Sequence, residues 1–187
     1  ASDVYKRQVQ PLVQPLVQPL VQPFVQLPED RSLWLAGGAS NAGGAVLRQF
    51  FSDDDLIRLS RSINPHQASP LDYYPLLRPG DRFPINDPHL PPRLEPRPDN
   101  PVAFLHGLLE SLARLEALGY QTLADLGGDR LTRVVTAGGG AANPAWTAIR
   151  SRLLGVPVVP ALAQEAAIGA AKLAQQVAQQ AAEAVAQ

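Results

Sequence analysis

Gly138, Gly139 and Gly140 stand in a row between the run Val134-Val135-Thr136-Ala137 and the pair Asn143-Pro144. A backbone without Cβ lets a ligand lie against the main chain where other residues would collide. Asn143-Pro144 reads as a helix start: a capping side chain, then a first helical residue with no amide hydrogen to lose. Such a start presents unpaired amides and a partial positive charge. Trp146, one turn in, adds a flat apolar face. Two readings stand side by side. In one, the glycines make a tight turn before a capped helix and Trp146 is core. In the other, a ligand sits against the glycines and Asn143 hydrogen-bonds a base or ribose. The row is neither a dinucleotide fingerprint nor a P-loop, since no GxGxxG opens the helix and no Lys-Ser/Thr closes the loop.

The elements around this row must position it. "RLTRVVTAGGG" reads as a strand, "NPAWTAIRSRLLG" as a helix, "VPVVPA" as a strand and "QEAAIGAAKLA" as a helix. Strand, helix and strand with short turns predict a right-handed βαβ crossover and an α/β sheet covered by helices. In such sheets ligands bind outside the carboxyl ends of strands, where "TAGGG" stands. Upstream, "SLWLAGG" suits a buried strand and turn, and "SNAGGAVLRQFF" a helix capped near Ser40 or Asn41. "SDDDLIRLSRSI" is a helix capped by Ser52 or an early Asp, its acids favoured in the first turn. Residues 64–101 are too proline-rich for helix or central strand and read as a long ordered excursion packed by Tyr73, Tyr74 and Phe83. Between Asn100-Pro101 and Gly119, the spacing of Val102, Leu105, Leu108, Leu109, Leu112, Leu115 and Leu118 predicts a helix that Gly119 ends. "YQTLADLG" reads as a further short turn or helix.

Composition narrows the function classes. A net charge of −1 over 187 residues, with scattered basic residues, argues against nucleic-acid and membrane-surface partners. Cysteine is absent, so disulfides and thiolate metal sites are excluded and a reducing, cytoplasmic setting is expected. His66, His89 and His106 lie far apart and no metal-ligand spacing is visible. No apolar run approaches the roughly 20 residues of a membrane helix, and the start does not read as a signal peptide.

Residues 1–28 differ from the rest. VQPL, VQPL, VQPL and VQPF fill Val9 to Phe24, and proline at every fourth place bars a helix or a central strand. Asp3 to Gln8 is what GAT GTG TAT AAG AGA CAG encodes, a string resembling the transposon-end adapter of sequencing libraries. The expectation is therefore a low-complexity, disordered segment of artefactual origin at 1–28, a domain at 29–174 and an Ala/Gln-rich helical tail at 175–187.

Five segments in order, "LWLAGGASNAGGAVLRQFF", "YYPLLRPGDRFP", "FLHGLLESLARLE", "VVTAGGGAANPAWTAIRSRLLGVPV" and "QEAAIGAAKLA", resemble the C-terminal domain of the FGGY carbohydrate kinases, above all the D-ribulose and xylulose-type pentulose kinases. The resemblance implies an actin-like, ribonuclease-H-like ATPase fold, one half of a two-domain enzyme that uses ATP and Mg2+ to phosphorylate a sugar hydroxyl. It implies that Gly139 and Gly140, in the row with Gly138, lie against the nucleoside. Asn143 would then hydrogen-bond the adenine, Trp146 would pack near the ring, and Gly44 would approach the ribose or phosphates. A glutamine often stands where this chain has Arg48. Glu165 and Gly169 match structural positions of the last helix.

By the same resemblance the catalytic aspartate and the phosphate loops belong to an N-terminal half. None of Asp53, Asp54, Asp55, Asp81 and Asp125 qualifies for that role, so the catalytic set is expected to be empty here. The expected partner is an adenine nucleotide; the sugar would bind only with the N-terminal domain. Two other readings are a non-catalytic actin-like binding or assembly module, and an α/β domain whose glycines only make a turn.

Overall fold

Asn100 begins the longest of the described elements by accepting hydrogen bonds from the amides of Val102 (2.9 Å) and Ala103 (3.3 Å). A computed structural model describes residues 20–27 and 31–161. In it β1 is Leu20–Leu27, β2 Arg31–Gly37, α1 Asp53–Ser60, α2 Pro101–Asp125, β3 Val134–Thr136, α3 Pro144–Leu154 and β4 Val158–Pro160. Two short 3-10 helices, Gly44–Gln49 and Gly139–Ala142, complete the order. β3 and β4 pair in parallel with Val134 opposite Val158, and α3 is the crossover between them. The predicted strand-helix-strand unit is thus present. "QEAAIGAAKLA", with Glu165 and Gly169, and the 175–187 tail lie outside the described residues.

β1 and β2 form an antiparallel ribbon whose register shifts between Pro23 and Val25. The last VQPF unit of the repeat therefore lies in a strand, where the composition pointed to disorder. A two-stranded ribbon has only edges, and an edge strand tolerates a residue that cannot donate. Residues 1–19 lie outside the description.

The helix expected from Ser40 or Asn41 is instead an irregular loop leading into a 3-10 helix. Its N-cap residue, Gly43, makes no side-chain cap. Ser40 and Asn41 are engaged elsewhere: Ser40 Oγ and the Asn41 backbone amide donate to Asp81, and the Asn41 side chain donates to the Gly80 carbonyl. α1 follows the local signal. Ser52 Oγ accepts from the Asp55 amide at 3.1 Å, and the bonds from Arg58 and Ser52 hold the Asp55 carboxyl below its ordinary range.

α2 passes through Gly119 and ends six residues later at Asp125. A Cβ on Gly119 would meet Phe83 Cε1 at 2.8 Å, so this glycine admits a ring rather than stopping a helix. The stop is Gly127, at φ +93°, whose amide bonds the Ala124 carbonyl while Gly128 bonds that of Leu123. That pairing is a Schellman end. Gly119→Val is expected to lower stability by about 1–3 kcal/mol, the range for overpacking, as urea melts would show. Trimming the ring with Phe83→Leu should recover part of that loss.

Phe104 centres the core, its ring 5.1 Å from Phe50 and 5.7 Å from Tyr73. Leu105, Leu108 and Ile149 are fully buried beside it. Tyr73, Tyr74 and Phe83 are buried as the excursion reading required. His106 shares a corner with Glu110, Arg114 and Arg152. Burial drives its imidazole below 6.5, only partly offset by the Glu110 carboxylate. Between that lowered value and 6.5 the unfolded chain holds more protons than the folded one. The His106 contribution is therefore present above 6.5 and lost as pH falls through the folded value. Urea midpoints should be lower near pH 5 than near pH 8, and His106→Gln should shrink the difference.

Candidate functional site

Thr136 ends β3, and the chain turns at Gly138, whose φ of +83° only glycine adopts freely. Gly139–Ala142 make one 3-10 turn, and Asn143 caps α3. Asn143 Oδ1 accepts from the Trp146 amide at 3.1 Å, while Nδ2 donates to Ser60 Oγ on α1 at 2.8 Å. Of the two roles open to Asn143 from sequence, capping is realised, and the amide also ties α3 to α1.

Three cavities border this loop, and two of them hold residues expected at a ligand. One, of about 830 Å³, lies between the loop and α1; its walls include Gly139, Asn143, Ser60, Ile57, Arg48 and Arg61. The other, of about 460 Å³, is walled by Gly44, Gly140, Trp146, Phe83, Tyr120 and Arg150. The six residues expected at a ligand thus divide. Gly139 and Asn143 face the first cavity, Gly44, Gly140 and Trp146 the second, and Gly138 lines neither. A Cβ on Gly139 would meet nothing within 4 Å, so its backbone is open to the cavity. A Cβ on Gly140 would stand 3.2 Å from Trp146 Nε1, so that glycine packs closely against the protein's own ring.

The second cavity is braced by a residue not singled out from sequence. Arg150 binds Glu116 through both carboxylate oxygens (2.7 and 2.6 Å) and donates to Thr136 Oγ1 at 2.8 Å. Its guanidinium lies 5.4 Å from the Trp146 ring centroid. The one local signal was its place four residues after Trp146, on the same helix face. Burial and the nearby Glu116 carboxylate push the Tyr120 phenol up.

Asp81 organises the loop over Gly44. It accepts from Ser40 Oγ (2.8 Å), the Asn41 amide (2.7 Å), Tyr74 OH (2.6 Å) and the Arg82 amide (2.8 Å). Burial first, and this carboxylate second, push the Tyr74 phenol above its ordinary range. Three of the other four aspartates weighed from sequence are also engaged, Asp53 by Arg48, Asp55 by Ser52 and Arg58, and Asp125 by Gln121. Among the described residues no group of three or more His, Asp or Glu could hold a metal ion, and no helix is long and apolar enough to cross a membrane.

Residues 11–177 match the model of the FGGY family of carbohydrate kinases, C-terminal domain. That match begins inside the VQPL repeat and runs past residue 174. Two solved structures share the fold. The gluconate kinase from Lactobacillus acidophilus is 20% identical with a TM-score of 0.60, covering 80% of this chain and 33% of its own. The ligand-bound xylulose kinase from Lactobacillus acidophilus is 20% identical with a TM-score of 0.62, covering 81% and 32%. This chain spans about a third of the length of those kinases.

Proposed function

The chain belongs to the FGGY family of carbohydrate kinases, and we propose that it supplies the nucleotide-binding half of an ATP-dependent kinase acting on a hydroxyl of a pentulose-type sugar. Its fold is the family's actin-like, ribonuclease-H-like α/β architecture. The observation that carries the reading is Gly139, whose missing Cβ leaves main chain bare on the wall of a cavity of about 830 Å³. That volume is within the range of small-molecule sites. The nucleoside lies there, between the Gly139–Asn143 loop and α1, and ATP supplies the phosphoryl group. Magnesium accompanies the nucleotide, bridging its phosphates.

This chain's part is to bind and orient. The loop and the start of α3 hold the nucleoside, and the Arg150 brace keeps the strand end in place. The engaged aspartates fit a division of labour in which the base that takes the sugar proton stands on another domain. Phosphoryl transfer rests on positioning and charge neutralisation, so the chain by itself is expected to bind nucleotide without turning over. Calorimetric titration with magnesium-ADP tests this. Saturable binding should weaken more than about tenfold in Gly139→Val, with circular dichroism unchanged because a Cβ at this position meets nothing within 4 Å. Unchanged affinity in that variant would place the nucleotide elsewhere; no binding by the folded chain would leave the glycines a turn.

A further inference from the structure

Ser60 is 6% exposed at the end of α1, yet it lines the larger cavity beside Asn143 and accepts from Asn143 Nδ2 at 2.8 Å. A side-chain amide carries two N–H donors and an oxygen with two lone pairs. Here the Trp146 amide takes one lone pair and Ser60 takes one donor. A flipped amide would set its NH2 against the Trp146 N–H and its oxygen against Ser60, losing the cap. The two bonds together leave one donor and one acceptor uncommitted on a residue that lines the cavity.

We propose that Ser60 is a positioning residue that holds Asn143 in the one orientation able to read a 6-aminopurine. The proposal rests on the nucleotide reading of this cavity. A 6-aminopurine presents a donor at N6 beside an acceptor at N7, the pattern an Asn amide matches with both its atoms. A 6-oxopurine presents two acceptors there and leaves the amide oxygen unanswered. Without the Ser60 hydroxyl, Nδ2 loses the partner that fixes it, and the Trp146 cap bond alone holds the amide plane. Preference between the two purine classes then declines together with affinity.

The test is calorimetric titration of the full chain with magnesium-ADP and magnesium-GDP, in the wild type and in Ser60→Ala, Ser60→Cys and Ser60→Thr. Ser60→Cys covers the case in which the alanine variant is unstable, because sulfur is a similar size but a weak acceptor. Wild type and Ser60→Thr should favour ADP by about tenfold or more. In Ser60→Ala and Ser60→Cys, ADP binding should weaken about five- to tenfold, the worth of one hydrogen bond, and the ADP-to-GDP ratio should approach one. A purely structural Ser60 would lower the melting temperature and leave that ratio alone; an unchanged ratio in a folded variant overturns the proposal. If the folded wild type binds neither nucleotide, the nucleotide reading itself fails and this inference falls with it.

Discussion

Replacing Glu110 with alanine is expected to lower the unfolding free energy by about 3 kcal/mol, the lower part of the range for breaking a buried charge cluster. Glu110 is fully buried on α2 and accepts from Arg152 of α3, with Arg114 Nη2 at 3.7 Å from its other oxygen. Both arginines also hold the proline-rich excursion: Arg152 donates to the Pro65 carbonyl, and Arg114 to those of Ser69 and Leu71. Removing the carboxylate takes a shared counter-charge from two guanidiniums. Their side chains stay 26% and 35% exposed, so water offsets part of the loss. Urea melts measure it. The double replacement Glu110→Leu with Arg152→Leu should cost much less than Glu110→Ala, since only Arg114 loses the carboxylate and it keeps the Ser69 and Leu71 carbonyls and Asp72 at 4.0 Å. A single-site loss below about 1 kcal/mol would mean that the cluster does not organise the fold.

Arg150→Ala is expected to cost about 3–5 kcal/mol by the same rule, and here the consequence reaches the glycine row. The guanidinium joins Glu116 on α2, Thr136 at the end of β3 and the face of Trp146 on α3, with only 8% of its side chain exposed. Without it Glu116 is stranded and Trp146 loses the cation against its ring. Trp146 emission should shift in a Trp34→Phe background, which leaves it as the only tryptophan. Arg150→Lys should lose stability too, because an ammonium cannot hold both carboxylate oxygens and Thr136 at once. An Arg150→Lys variant as stable as the wild type would show that charge alone carries the interaction.

What was legible in the sequence was local. Ser52, Asn100 and Asn143 cap helices as their positions beside apolar periodic runs required, because a cap involves amides only two or three residues away. The order of motifs carried the family, and the strand, glycine row and helix are where that order put them. The misreadings share a physical cause, a partner distant in sequence. Gly119 looks like a helix stop until Phe83 is seen packed against it. Ser40 and Asn41 look like caps until Asp81 takes their hydrogens. Arg150 and Ser60 carried no sequence signal strong enough to single them out, since their meaning lies in Glu116, Thr136 and Asn143. The division of five of the six expected residues between two cavities was equally hidden: Gly139 and Gly140 are neighbours in sequence, but one opens outward and the other abuts Trp146.

The most direct measurement is a magnesium-ADP titration of the isotopically labelled full chain followed by backbone amide chemical shifts. Saturable shifts are expected to cluster at Gly139–Asn143 and Ile57–Arg61, the two walls of the larger cavity. Shifts around Gly44, Tyr120 and Arg150 should be smaller and follow from the loop. Saturable shifts confined to the Trp146 side, or none from a folded sample, would contradict a nucleotide seated between the glycine loop and α1.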